Sequence, residues 1–193
     1  MSVQQLLDAG VRDLSSLAAY LDALSPALRR DAVLGLSASG QRLLWQLTEA
    51  APRLLPEQLL PAATDERAEI VHWGRNSLPL CSRFQKRLTR AGGRIWGYNE
   101  QPLKGVTGPG YFVVRPSGPD DLDDRGVVID YTLPAPDGLA AWPRRLDNSE
   151  RLGRFVYHGL RDHLRLVSRH VVIGRASRHG EWLPNWFVLV REN

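Results

Sequence analysis

The longest unbroken periodicity in the chain lies between Ser149 and Ala176. Leu152, Phe155, Val156, Gly159, Leu160, His163, Leu164 and Val167 recur at the alternating three- and four-residue spacing of an α-helix and define one continuous inward face. Asp147 or Ser149 stands where an N-cap is needed. On the opposite side fall Arg151, Arg154, His158, Arg161 and Arg165. A long helix with one apolar side must bury that side, so this stretch predicts the core of a domain. It establishes a core without naming a chemistry.

The remaining elements follow from that helix. Residues 1–51 read as four short helices with leucine-rich faces. Their boundaries are marked by Gly10, by Asp13 as a cap, by the pair Ser25-Pro26, by Ser39-Gly40 and by the closing Pro52. Residues 52–67, with Pro52, Pro56 and Pro61, read as a linker. In 68–193, Ile70–Trp73 fits either a short strand or a helix end. Ser77 and Pro79 introduce an expected helix carrying Cys81, Phe84, Leu88 and Ala91 on one side. Three strands are expected at Arg94–Tyr98, Tyr111–Arg115 and Val127–Leu133, separated by glycine- and proline-rich turns. After the long helix, Arg169–Ala176 and Trp186–Arg191 form a hairpin about Ser177–Gly180. The expected fold class is α+β: an N-terminal short-helix bundle followed by an antiparallel sheet of about five strands packed with a long amphipathic helix. The last strand, Phe187-Val188-Leu189-Val190-Arg191, resembles the strands of lipocalin-like barrels in residue type over a handful of positions, which assigns the chain to no family.

Charge is distributed unevenly. Residues 71–116 hold 8 basic and 1 acidic side chains, 117–141 hold 1 and 6, and 142–193 hold 10 and 5. Only Lys86 and Lys104 are lysines, and arginine suits bidentate binding of carboxylate or phosphate. The single cysteine, Cys81, excludes an internal disulfide, and no apolar run approaches the length of a membrane span. With no basic, apolar leader at Met1, the cytoplasm is the expected compartment.

Phosphate loops, dinucleotide fingerprints, paired Cys-x-x-Cys and His-Glu-x-x-His are all absent from the sequence. No cofactor or metal site is expected: His163 would face inward and His158 outward, so the two do not share an ion. The arginine row Arg151, Arg154, Arg161 and Arg165, with His158, sets like charges three and four apart, a repulsion that an anionic partner relieves. The leading expectation is therefore a non-enzymatic binding module whose arginine-lined helix meets a nucleic-acid backbone, an acidic protein surface or an anionic ligand. The acidic loop at Asp120, Asp121, Asp123 and Asp124 has the opposite sign and could shield that row. A second expectation is a carrier of an apolar small molecule, with a pocket drawn from Trp96, Tyr98, Tyr111, Phe112, Tyr131 and Phe155. A third is an enzyme using His163, oriented by Asp130, or Cys81 as a nucleophile. Oligomeric state does not follow from the sequence.

Overall fold

The computed structural model describes residues 1–79, 82–102, 107–133, 142–143 and 156–192. Eight antiparallel strands close into a barrel in simple sequence order: β1 (Ile70–Asn76), β2 (Arg83–Ala91), β3 (Arg94–Glu100), β4 (Phe112–Pro116), β5 (Val127–Asp130), β6 (Leu160–Ser168), β7 (Val171–Arg178) and β8 (Glu181–Arg191). Closure comes from β8 pairing back to β1, with Trp73 opposite Val190 and Arg75 opposite Val188.

This overturns the α+β expectation. The central stretch is a hairpin and no helix: β6 and β7 pair from Leu160–Arg178 to Ser168–Val171, and residues 149–155 lie outside the described residues. The expected helix after Ser77 is strand β2, and the ambiguous Ile70–Trp73 belongs to β1. Both misreadings have one cause. In β6 the inward positions are Leu160, Asp162, Leu164 and Leu166, and in β2 they are Phe84, Lys86 and Leu88. A charged residue in the inward series breaks the two-residue alternation that marks a strand. The surviving leucines and phenylalanine then coincide with helical spacing.

Five short helices precede the barrel: α1 (Val3–Asp8), α2 (Leu14–Ala23), α3 (Pro26–Leu34), α4 (Ala38–Leu47) and α5 (Pro56–Leu59). Asp13 caps α2 through Ser15 and Ser16, and Pro26 occupies the first turn of α3. The serine that caps α4 is Ser37, which accepts from the Gly40 amide. Leu7, Leu17, Leu21, Val33, Leu36 and Leu44 of this layer pack with Val167, Val171, Ile173, Val188 and Val190 on the outside of β6–β8. The two apolar faces of β8 are thus used separately, Val188 and Val190 under the helices and Phe187 and Leu189 inside the barrel. The segment 52–67 sends Leu54, Leu59 and Leu60 into the interior cluster, where they stop one end.

An eight-stranded barrel is just wide enough for its own side chains to fill. Here three phenylalanines face a glycine directly across the ladder: Phe84 opposite Gly74, Phe112 opposite Gly97 and Phe187 opposite Gly174. Each ring lies where the glycine's side chain would be. A Cβ at Gly74 would stand 2.6 Å from the Phe84 ring, and one at Gly97 would collide with both Phe112 and Leu88. Gly97→Ala should therefore destabilise the barrel by about 1–3 kcal/mol or more, read as a lower urea midpoint with an unchanged slope.

Candidate functional site

Inside the barrel, toward the end opposite α5, the three phenylalanine rings and Tyr131 surround a lysine. The Lys86 ammonium lies 5.5 Å from the centroid of Phe84, 4.9 Å from Phe112, 5.1 Å from Tyr131 and 5.4 Å from Phe187. Its three protons go to Asn99 Oδ1 at 3.0 Å, Tyr131 Oη at 2.5 Å and Asp162 Oδ2 at 3.0 Å. Tyr131 donates in turn to Asp162 at 3.2 Å, and Asn99 Nδ2 donates to the Gly110 carbonyl at 3.3 Å. Tyr157 stacks on Tyr131 at 5.4 Å and accepts from Gln101 Nε2 at 2.7 Å, closing the cluster from above. Burial pushes the Lys86 ammonium down from its ordinary range and Asp162 opposes the shift; the Tyr131 phenol is pushed far up, first by burial and then by Asp162. Every ammonium donor is spent on the barrel itself, so none is left for a ligand. The cluster holds strands together.

Beside this cluster, His72 pairs across the ladder with Lys86 on one side and Arg191 on the other. It is 2% exposed, and neither ring nitrogen has a partner among the described residues. Burial, reinforced by Arg191 and Lys86, lowers its pKa to about 3, so it is a neutral imidazole.

Of the expected arginine row, Arg161 and Arg165 lie on strand β6 and are each paired with an aspartate. Arg151, Arg154 and Phe155 lie outside the described residues, as does Cys81. His158 is exposed beside His179, ring centroids 6.1 Å apart. Arg161 projects outward from β6 onto Asp130 at the end of β5, and Arg165 onto the acidic loop between β4 and β5. Arg161 Nε is 3.3 Å from Asp130 and Arg165 Nε is 2.5 Å from Asp123. Arg115 holds Asp121 with two bonds of 2.6 and 2.8 Å, which lowers that carboxyl to about 2, and Arg125 is 3.1 Å from Asp123.

His163 also faces outward. Its Nε2 is 2.8 Å from Ser177 Oγ and its ring meets Trp182 edge-on at 4.8 Å. Asp130 does not orient it, being engaged by Arg115, Arg161 and Thr132. The expected aromatic pocket is divided by strand alternation. Phe112 and Tyr131 are inside, whereas Trp96, Tyr98 and Tyr111 form an outer cluster with Trp142. Among the described residues no group of three or more His, Cys, Asp or Glu is placed to hold a metal ion, and no helix is long and apolar enough to cross a membrane.

One group of arginines without acidic partners among the described residues lies on the outside of β7 and β8, beside α4. The Arg175 guanidinium sits 4.8 Å from the Trp182 ring and 5.1 Å from that of Trp186, and Arg42 of α4 approaches Trp186 at 6.0 Å. Arg175 donates to the Leu183 carbonyl, and neither arginine has an acidic partner among the described residues. The Arg175 pKa is lowered by burial first and then by Arg42 and Arg165, with no carboxylate opposing. Sequence reasoning passed over this group. The signal was the hairpin register, which sets Arg175 directly opposite Trp186.

The molecule is thus a closed antiparallel barrel with a self-satisfied charged interior, a helical cover and an arginine–tryptophan face. Comparison with protein-family models, with curated proteins and with solved structures finds no match.

Two outcomes follow from the interior. Lys86→Met strands a buried Asp162 carboxylate and should cost about 3–5 kcal/mol, while adding Asp162→Leu should recover most of it; urea unfolding of both variants measures the cycle. For His72 the unfolded chain binds a proton near pH 6.5 and the folded chain only near 3. Stability is therefore lost as pH falls through that window. The gap between the wild type and His72→Leu should shift by on the order of 4 kcal/mol between pH 7 and pH 3, checked by denaturant melts at each pH.

Proposed function

We propose that the chain is a non-enzymatic binding module that engages an anionic partner through the face formed by Arg42, Arg175, Trp182 and Trp186. The observation that carries this reading is the charge pairing. Arg115, Arg125, Arg161 and Arg165 each contact an aspartate, while Arg42 and Arg175 contact tryptophan rings and Arg42 adds to the cost of holding the Arg175 charge. Cations held rigidly over aromatic rings without a counter-ion are relieved by an anion brought from outside. Alternating arginine and tryptophan suits single-stranded nucleic acid, whose phosphates take the guanidinium groups and whose bases stack on indole edges and faces.

Fluorescence anisotropy with a labelled single-stranded oligonucleotide, followed from 50 to 200 mM salt, tests the reading. Removing two phosphate contacts in Arg42→Ala with Arg175→Ala should weaken binding and reduce the log–log salt slope by about 1.4. A double variant that binds with unchanged affinity and slope would sink it. Binding to polyglutamate in preference to the oligonucleotide would point to an acidic protein instead.

A further inference from the structure

The lysine inside the barrel faces an amide as well as a carboxylate. Lys86 and Asn99 stand directly opposite each other in the β2–β3 ladder, and both are buried. Lys86 Nζ is 3.0 Å from Asn99 Oδ1 and 3.0 Å from Asp162 Oδ2. The acyl carbon of Asn99 is one bond beyond Oδ1, so amine and amide carbon are held as neighbours with little motion left to make. Asn99 Nδ2 donates to the Gly110 carbonyl at 3.3 Å and to Tyr131 Oη at 3.1 Å, which fixes the amide with its oxygen toward the lysine. Tyr131 Oη lies 3.2 Å from Asp162 Oδ2, so a hydrogen-bonded path joins the carboxylate to the amide nitrogen.

The surroundings favour a neutral product. Lys86, Asn99 and Asp162 are 3%, 5% and 4% exposed, and four aromatic rings surround the ammonium. Burial lowers the Lys86 pKa, which brings its nucleophilic amine form within reach. Two opposite charges kept out of water are expensive, so a reaction that removes both is favoured there. We propose that Lys86 and Asn99 become joined by an intramolecular isopeptide bond, with Asp162 carrying the protons. The ammonium passes one proton to Asp162 Oδ2, and the freed Nζ lone pair forms the bond to Asn99 Cγ. As the tetrahedral carbon collapses, the Cγ–Nδ2 bond breaks and its electron pair stays on Nδ2. Asp162 supplies the proton that Nδ2 needs through Tyr131 Oη and takes a second one from Nζ. Ammonia leaves, the new amide keeps one hydrogen on Nζ, and Asp162 ends protonated; nothing is oxidised or reduced. The ion-paired cluster is the reactant state of this step, and the product ties β2 to β3 covalently. No residue of the Arg42–Arg175 face takes part, so the bond stands whether or not that face binds nucleic acid.

Intact-mass spectrometry of the full chain under denaturing conditions, with a tryptic map, tests it. The wild type should be lighter than its sequence by about 17 Da, the mass of ammonia. The map should show the peptide of Lys86 joined to that of Asn99, with no cleavage after Lys86. Asn99→Ala lacks the acyl carbon and Asp162→Ala lacks the proton carrier, so both should keep their full sequence mass. Lys86→Met with Asp162→Leu is the unreactive control. A wild type at full mass, cleaved normally after Lys86, would overturn the assignment without recourse to any variant. So would a loss that persists in Asn99→Ala or in Asp162→Ala.

Discussion

The ammonium of Lys86 is the constraint on which the barrel depends. A cation inside an eight-stranded barrel is tolerable only if its charge is balanced and its protons are all accepted. The partners that do this come from β3, from β6 and from the residue following β5, namely Asn99, Asp162 and Tyr131. They are brought together only when the strands pair in one register, because a shift by one residue would turn each of them outward. The phenylalanines around the cation impose the same demand through their glycines. Phe84, Phe112 and Phe187 can lie flat toward the barrel axis only while Gly74, Gly97 and Gly174 stand opposite them. Charge and shape thus select a single arrangement of a wall that hydrophobicity alone would leave loosely specified.

The outer surface uses the same chemistry with a different balance. The acidic loop between β4 and β5 folds back over the arginines of β4 and β6, so its Asp121 and Asp123, with Asp130 at the end of β5, occupy the positions an external anion would take. Burial pushes the Asp123 carboxyl up, and Arg165 and Arg125 together outweigh it and hold the group ionised. Across β7 and β8 no aspartate or glutamate pairs with Arg175 among the described residues. Indole rings there hold the arginines in place without neutralising them, which separates a structural basic surface from one with charge to spare.

Much of the helical cover was legible because short helices announce themselves locally. Asp13, Ser25-Pro26 and the leucine faces act over one or two turns, and no distant residue can alter what they imply. The strands at Arg94, Tyr111 and Val127 were legible for the same reason, bounded as they are by glycine and proline turns. Strands β2 and β6 were not. Their inward positions carry Lys86 and Asp162, each of which looks like a solvent residue until the other is placed beside it across the barrel. Gly74, Gly97 and Gly174 hide inward positions in a similar way, since a residue without a side chain contributes nothing to a hydrophobic period. Arg161 and Arg165 were visible as part of an arginine row, but their neutralisation depends on contacts between distant residues, such as Asp123 with Arg165. Trp186 was read only as the start of the last strand and Trp182 not at all, because an indole gives no sign in the sequence of which cation it meets.

The placement of the helical cover also orders events in time. Helices α1 to α4 end at Leu47, while the strands they cover, β6 to β8, begin at Leu160. A chain emerging from the ribosome at roughly 5–20 residues per second exposes the helices on the order of ten seconds before their docking surface exists. During that interval Leu17, Leu21, Val33 and Leu44 have only one another to cover them. The barrel has the same delay, since β1 cannot find its second neighbour until β8 has been made. Completion of the last hairpin therefore does two things at once: it closes the cylinder and supplies the seat on which the waiting helices settle.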